Sequence, residues 1–247
     1  MKGGGRLPHH IAALLPAQRT LRALGSPARA KISASYFRTG PGEYGEGDVF
    51  IGVAVPAIRR LTRASRDLAI GDVARLLSSK VHEDRLLAVL ILVDRARASR
   101  GARAAEVARF YMQHLDRVNN WDLVDSSAPQ ILGPYLETRP LAARRTLLDR
   151  LARSRSVWRR RVAMLTTQHF IRRGETRDAL RLARALLADD HDLIHKAAGW
   201  MLREVGDRDP AALRGFLARH AGAMPRTMLR YAVEKIPVAE RRRWMKA

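Results

Sequence analysis

The chain of 247 residues has no cysteine. Disulfides, thiolate metal sites and cysteine nucleophiles are excluded by that alone. Long apolar runs are missing too. The longest, Leu86 to Val93, is far below the roughly 20 residues a membrane span requires. Met1-Lys2-Gly3-Gly4-Gly5-Arg6 has no continuous apolar segment behind it, because His9, His10 and Pro16 interrupt the region, so no signal peptide is expected. Strictly alternating apolar and polar stretches are nearly absent, which argues against strands. Lysine is scarce. Arginine supplies most of the positive charge.

Charge of one sign dominates what is present. Lys and Arg number 46 against 24 Asp and Glu, a formal net charge of +22. A surface of this kind attracts a polyanion, most simply DNA or RNA, with an anionic membrane as the alternative. Part of the arginine content also fits a GC-rich genome decorating solvated faces. A cytoplasmic protein, nucleoid-associated when bound to DNA, is the expectation.

Apolar residues recur at helical spacing along the whole chain. Ile58, Leu61 and Leu68 keep one face between Pro56 and a turn expected at Gly71, and Val73, Leu76 and Leu77 follow. Leu86 to Val93 is apolar nearly all round, as in a helix buried between neighbours. Further segments run over 107–115, 123–136, 141–151, 157–171, 179–187, 193–205, 213–217 and 228–236. Pro140, Pro210 and Pro225 stand where helices can begin. Gly40 to Asp48, with four glycines and a proline, is a loop. It carries three acids and lacks the Gly-Lys-Ser/Thr ending of a phosphate-binding loop.

The helices are short and paired, and a weak register links them. Arg85-Leu86-Leu87-Ala88 resembles Arg161-Val162-Ala163-Met164 at a distance near two HEAT-sized units, and Trp121, Trp158 and Trp200 have a similar spacing. The fold class predicted is all-α: an α-solenoid of HEAT-like helical repeats with a concave basic groove, against an ordinary helical bundle. The expected organisation is a single domain over 1–247, with an N-terminal extension or helix over 1–25 and the repeat array over 26–247.

Trp121 and Asp125 project from one side of a helix at a spacing of four residues. A carboxylate beside an aromatic ring repels phosphate, yet suits something cationic held against nucleic acid. Asp125 also reads as an ordinary solvated or capping residue, and Trp121, Trp158 and Trp200 read as core. Arg161 begins a buried pattern, where its fork of donors can reach phosphate. His82-Glu83 lacks the second histidine of a zincin helix, since Leu86 stands there, and neither a nucleophile elbow nor a dinucleotide fingerprint is present.

Several ordered segments resemble the AlkD-like DNA alkylation repair enzymes, DNA glycosylases built from HEAT-like repeats. They are Tyr36-Phe37-Arg38-Thr39-Gly40-Pro41-Gly42-Glu43-Tyr44-Gly45-Glu46-Gly47-Asp48, Trp121-Asp122-Leu123-Val124-Asp125, Trp158-Arg159-Arg160-Arg161 and Lys196-Ala197-Ala198-Gly199-Trp200-Met201-Leu202-Arg203-Glu204. The resemblance implies a catalytic Asp125, aromatic walls at Trp121 and Trp200, a phosphate-contacting Arg161 and a DNA-facing Tyr36. Ala54 stands where some members have a DNA-contacting Gln. The resemblance further implies hydrolysis of the N-glycosidic bond of cationic N3- or N7-alkylpurines in double-stranded DNA, without a base-flipping pocket. No metal or organic cofactor is expected, and the implied protein is a monomer. A non-catalytic module that binds damaged or structured DNA is the alternative; a solenoid for acidic protein partners is the third reading.

Overall fold

The computed structural model describes residues 14–246; residues 1–13, most of the expected N-terminal extension, lie outside the described residues. The helices are α1 (Pro16–Ala23), α2 (Pro27–Tyr36), α3 (Val55–Ala64), α4 (Ile70–Leu77), α5 (His82–Ala98), α6 (Gly101–Gln113), α7 (Trp121–Asp125), α8 (Ala128–Glu137), α9 (Leu141–Ala152), α10 (Val157–Ile171), α11 (Arg177–Ala185), α12 (Asp192–Arg208), α13 (Pro210–His220), α14 (Arg226–Ala232) and α15 (Val238–Trp244). No strand forms among the described residues; Val49 and Val81 make an isolated parallel bridge. No helix among them is long and apolar enough to cross a membrane.

The repeat is visible in which helices touch. The inner helices pack in series, α5 on α8, α8 on α10, α10 on α12 and α12 on α14. Outer helices pack on all but the last of these: α4 on α5, α6 on α8, α9 on α10, and α11 and α13 on α12. Sequence explains the division. α5 is buried continuously from His82 to Val93 and α10 from Arg161 to Ile171, so both are covered on all sides. The outer α11 hides one stripe, Asp178, Ala179, Leu182 and Ala183, and leaves Arg177 and Arg184 exposed, while the half-buried Arg181 pairs with Asp149 and Asp178. One contiguous set of buried side chains runs from Leu15 to Val233. Even α1 belongs to it through Leu15, Ala17 and Leu21.

Two segments differ from the sequence expectation. Residues 123–136 are not one helix. α7 ends at Asp125, and α8 starts only at Ala128 with Pro129 in its first turn. Pro129 has no N–H and disfavours helical backbone before it. The Ser127 hydroxyl donates to the Leu123 carbonyl at 2.5 Å and pairs with the buried Tyr111 hydroxyl at 2.8 Å, which holds the break. Similarly, α3 stops at Ala64, Leu68 packs from the turn that follows, and Gly71 lies inside α4 rather than in a turn.

Four consecutive polar residues at the start of α5 are buried, and together they tie down several parts of the chain. Glu83 accepts from the N–H groups of Ile51, Gly52 and Val53 at 3.1, 2.8 and 3.3 Å. Gly52 has φ +76, and a Cβ there would lie 2.2 Å from the Ser26 carbonyl oxygen, so this turn requires glycine. Asp84 accepts from Gln18, Arg22 and Ser79, which docks α1. Arg85 donates to Asp48 at 2.6 Å. His82 bridges Asp48 at 3.2 Å and Asp122 at 2.8 Å, joining the glycine-rich loop to α7.

Candidate functional site

α7 is placed from both ends. At its N-terminus the Asn120 side chain accepts from the Trp121 N–H at 2.8 Å and donates to Asp48 at 3.1 Å. Trp121 stacks on Phe37, with centroids 5.0 Å apart and planes 13° apart. Phe37 stacks on Phe50 at 4.9 Å, and Phe50 on His82 at 4.5 Å. Tyr36 meets Trp121 edge-on at 5.8 Å. These rings fix the indole in place.

His82 closes the stack as a cation. Burial opposes its charge, but the Asp122 carboxylate and the hydrogen bonds to Asp122 and Asp48 outweigh it and raise His82 to about 9. An imidazolium donates from both nitrogens, which suits its two carboxylate partners. Asp48 is held below the usual carboxylate range: burial works the other way, and His82, Arg85 and Asn120 prevail.

At the C-terminus of α7, Asp125 is clamped by Arg161. Nε donates to Oδ1 at 2.8 Å and Nη2 to Oδ2 at 2.7 Å, while Nη1 donates to the Leu193 carbonyl at 2.6 Å. Three of the five guanidinium N–H donors are thereby engaged, leaving two. The side chains are 6% and 16% exposed. Burial pushes the Asp125 carboxyl up, Arg161 pulls against that, and Asp122 adds to the rise.

Tyr36, Trp121, Arg161 and Trp200 line one cleft of about 380 Å³. Asp125 does not line it and reaches it through Arg161; its own side borders a neighbouring cleft of about 370 Å³. Trp200 is half-buried and its indole N–H donates to Glu204 at 3.0 Å. Gly199 allows α14 to pass close behind it, since a Cβ there would lie 2.5 Å from the Met228 carbonyl oxygen and 2.6 Å from Tyr231 Cβ. That approach brings Tyr231 into the cleft wall. Ala54 is exposed at the N-cap of α3, where it offers no side-chain cap.

Arg38, Tyr44, Lys196 and Tyr231, with the segment His191 to Leu193, complete the lining without having been singled out as site residues by the sequence. Arg38 is the only non-glycine residue with positive φ, +49, among those described. Its carbonyl accepts from the Gly45 N–H at 3.0 Å, which holds the left-handed backbone. No carboxylate among the described residues pairs with its guanidinium. Lys196 pairs with Asp192 at 2.7 Å.

The fold resembles solved structures. A predicted DNA alkylation repair enzyme from Enterococcus faecalis superposes with a TM-score of 0.64 at 15% identity, covering 87% of this chain and 97% of its own. AlkD2 from Streptococcus mutans gives a TM-score of 0.51 at 14% identity, covering 90% of this chain and 98% of its own. No curated protein matches. The sequence model described as DNA alkylation repair enzyme matches residues 17–236, and the chain belongs to that family.

Proposed function

We propose that the protein is a monofunctional DNA glycosylase acting on cationic N3- and N7-alkylpurines in double-stranded DNA. The observation that carries this reading is the single cleft shared by Tyr36, Trp121, Arg161 and Trp200, with Asp125 fastened to Arg161 at its edge. Alkylation at N3 or N7 leaves the base positively charged. The C1′–N bond breaks with its electron pair going to the base, which departs neutral. Water supplies hydroxide to C1′ and releases a proton. No general acid is needed for such a leaving group. What helps is a negative group near the sugar as positive charge develops there, and Asp125 is the candidate.

Trp121 and Trp200 attract the cationic nucleotide through their ring faces, each worth roughly 0.5–2 kcal/mol. Arg161 orients Asp125, and its two remaining N–H donors serve a phosphate. With Arg161 paired to Asp125 and Lys196 to Asp192, Arg38 is the cation of the cleft lining left without a carboxylate, a charge suited to a phosphate and unsuited to an extruded cationic base. We therefore keep the mode in which the lesion is not swallowed by a pocket. A second reading, a non-catalytic module for damaged DNA, is favoured by one observation: both Asp125 oxygens already accept from Arg161.

Base release from duplex DNA carrying one N7-methylguanine separates the two. Wild-type release that disappears in Asp125→Asn, with duplex binding kept, supports the glycosylase. Tight binding without release by either protein establishes the binding module instead.

A further inference from the structure

α7 is five residues long, Trp121–Asp125, too short to hold itself in place by its own hydrogen bonds. Its two carboxylates, Asp122 and Asp125, are three residues apart. They are neighbours on one side of the turn, where like charges repel. Each is held by a cation from a different inner helix. Arg161 of α10 takes Asp125. His82 of α5 takes Asp122, with Nε2 2.8 Å from Oδ2, while Oδ1 of the same carboxylate accepts from the Leu123 N–H at 2.8 Å. The imidazole is 2% exposed, so water and salt screen its charge little. The two ion pairs are not independent. Burial opposes the ionisation of Asp125, Arg161 pulls against that, and Asp122 adds to the opposition. A cation fastened to Asp122 cancels this last push at its source. The other titratable or charged groups around Asp125 are Tyr111 of α6 and, along the cleft beside it, Arg59 and Arg63 of α3 with Asp94 and Arg97 of α5. The partners of His82 are Asp48, Asp122 and the Phe37 and Phe50 rings, with Arg85 three residues further along α5. Of these, Asp122 is the one that acts on Asp125.

We propose that His82 controls the charge of Asp125 from behind the site, with Asp122 as the intermediary. The inference rests on the reading of Asp125 as the negative group of a glycosylase. A carboxylate stabilises positive charge on the sugar only while it is ionised, so a group that keeps the proton off Asp125 sets the pH range of the reaction. His82 does not touch the reacting bond and is a positioning residue.

The test follows the Asp125 carboxyl by carbon-13 NMR between about pH 4 and 8, in the full chain labelled at aspartate, with Asp125→Asn to identify the signal. Beside it runs single-turnover base release from duplex DNA carrying one N7-methylguanine. His82→Gln keeps a donor for Asp122 and loses the charge; His82→Asn, neutral with a shorter reach, is read with it. In both, the carboxyl midpoint and the acid limb of the release rate should move upward together by about one pH unit. In an Asp122→Asn background, adding His82→Gln should move neither. An unmoved carboxyl midpoint in His82→Gln and His82→Asn overturns the proposal, even where release falls uniformly. An equal rise in both backgrounds overturns it too, because the influence then travels through the stacked rings of Phe37 and Trp121. A wild-type protein that releases no base, with the carboxyl signals moving as expected, overturns the glycosylase reading and leaves the link from His82 to Asp125 standing.

Discussion

Asp125 and Arg161 are joined by two hydrogen bonds, at 2.8 and 2.7 Å, and the third engaged nitrogen of Arg161 is pinned on the Leu193 carbonyl of α12. One guanidinium thus connects α7, α10 and the start of α12. Removing it leaves a largely buried carboxylate without its counterion. Arg161→Ala should cost about 3–5 kcal/mol of stability and lower base release along with it. Arg161→Lys keeps the charge, loses the fork, and should fall between. Chemical denaturation measures the first effect. Wild-type stability in Arg161→Ala would show that the clamp does not hold in solution.

Arg38 permits a test in which stability and binding move apart. A left-handed backbone costs an ordinary residue roughly 1–2 kcal/mol, partly offset by the entropy that glycine loses on folding. Arg38→Gly should leave stability unchanged or raise it by up to about 1 kcal/mol, while duplex affinity drops several-fold. Loss of more than about 1 kcal/mol would mean that the side chain has a structural partner.

His82 gives the fold a pH dependence with a definite sign. Its pKa is raised in the folded protein, from an ordinary 6.5 to about 9. The stabilisation is therefore complete below pH 6.5 and is lost as pH rises through 9. Its size is on the order of 3 kcal/mol at most. Thermal unfolding between pH 6 and 10 should show a decline that His82→Gln lacks. The stack of Phe50, Phe37 and Trp121 on this imidazole predicts a parallel change in tryptophan emission. Superimposable pH profiles for the two proteins would rule out the charged bridge.

Gly199→Ala would set a methyl group against the α14 backbone. The helices must separate, at about 1–3 kcal/mol. Trp200 and Tyr231 move with them, so duplex binding should weaken as well. A calorimetric melt and a binding curve on the same sample decide it.

The buried helices were legible from their apolar runs, Leu86 to Val93 in α5 and Val162 to Leu165 with Phe170 and Ile171 in α10, but the burial of polar residues such as Glu83, Asp84, Thr166 and Gln168 was not. The break at Ser126-Ser127 was hidden, since Leu123 and Ile131 to Leu136 remain apolar on both sides of it, and only Pro129 hinted at the interruption. α2 buries none of its residues, so it left no apolar stripe to read. Within the cleft, Trp121, Arg161, Trp200 and Tyr36 lie in ordered motifs. Phe37 and Arg38 stand beside Tyr36 in the first of these, yet nothing local marks the stacking of one or the backbone of the other. Tyr231 depends on the approach of two helices at Gly199, a relationship between segments about 30 residues apart. The engagement of Arg161 by Asp125 is likewise tertiary. A sequence shows an arginine and an aspartate and leaves open which of them faces solvent.

Asp48 and Arg85 stand in the same relation as Asp125 and Arg161: an arginine early on an inner helix, and an aspartate 37 residues before it in one case, 36 in the other. The two pairs hold equivalent places in the helical array. Their electrostatics nevertheless run in opposite directions. Asp48 has His82, Arg85 and Asn120 as donors and is held low, whereas Asp125 has Arg161 alone, with Asp122 nearby, and is pushed up. The same Asp–Arg strut thus holds its carboxylate low or high according to the donors around it, with no change in the pair itself.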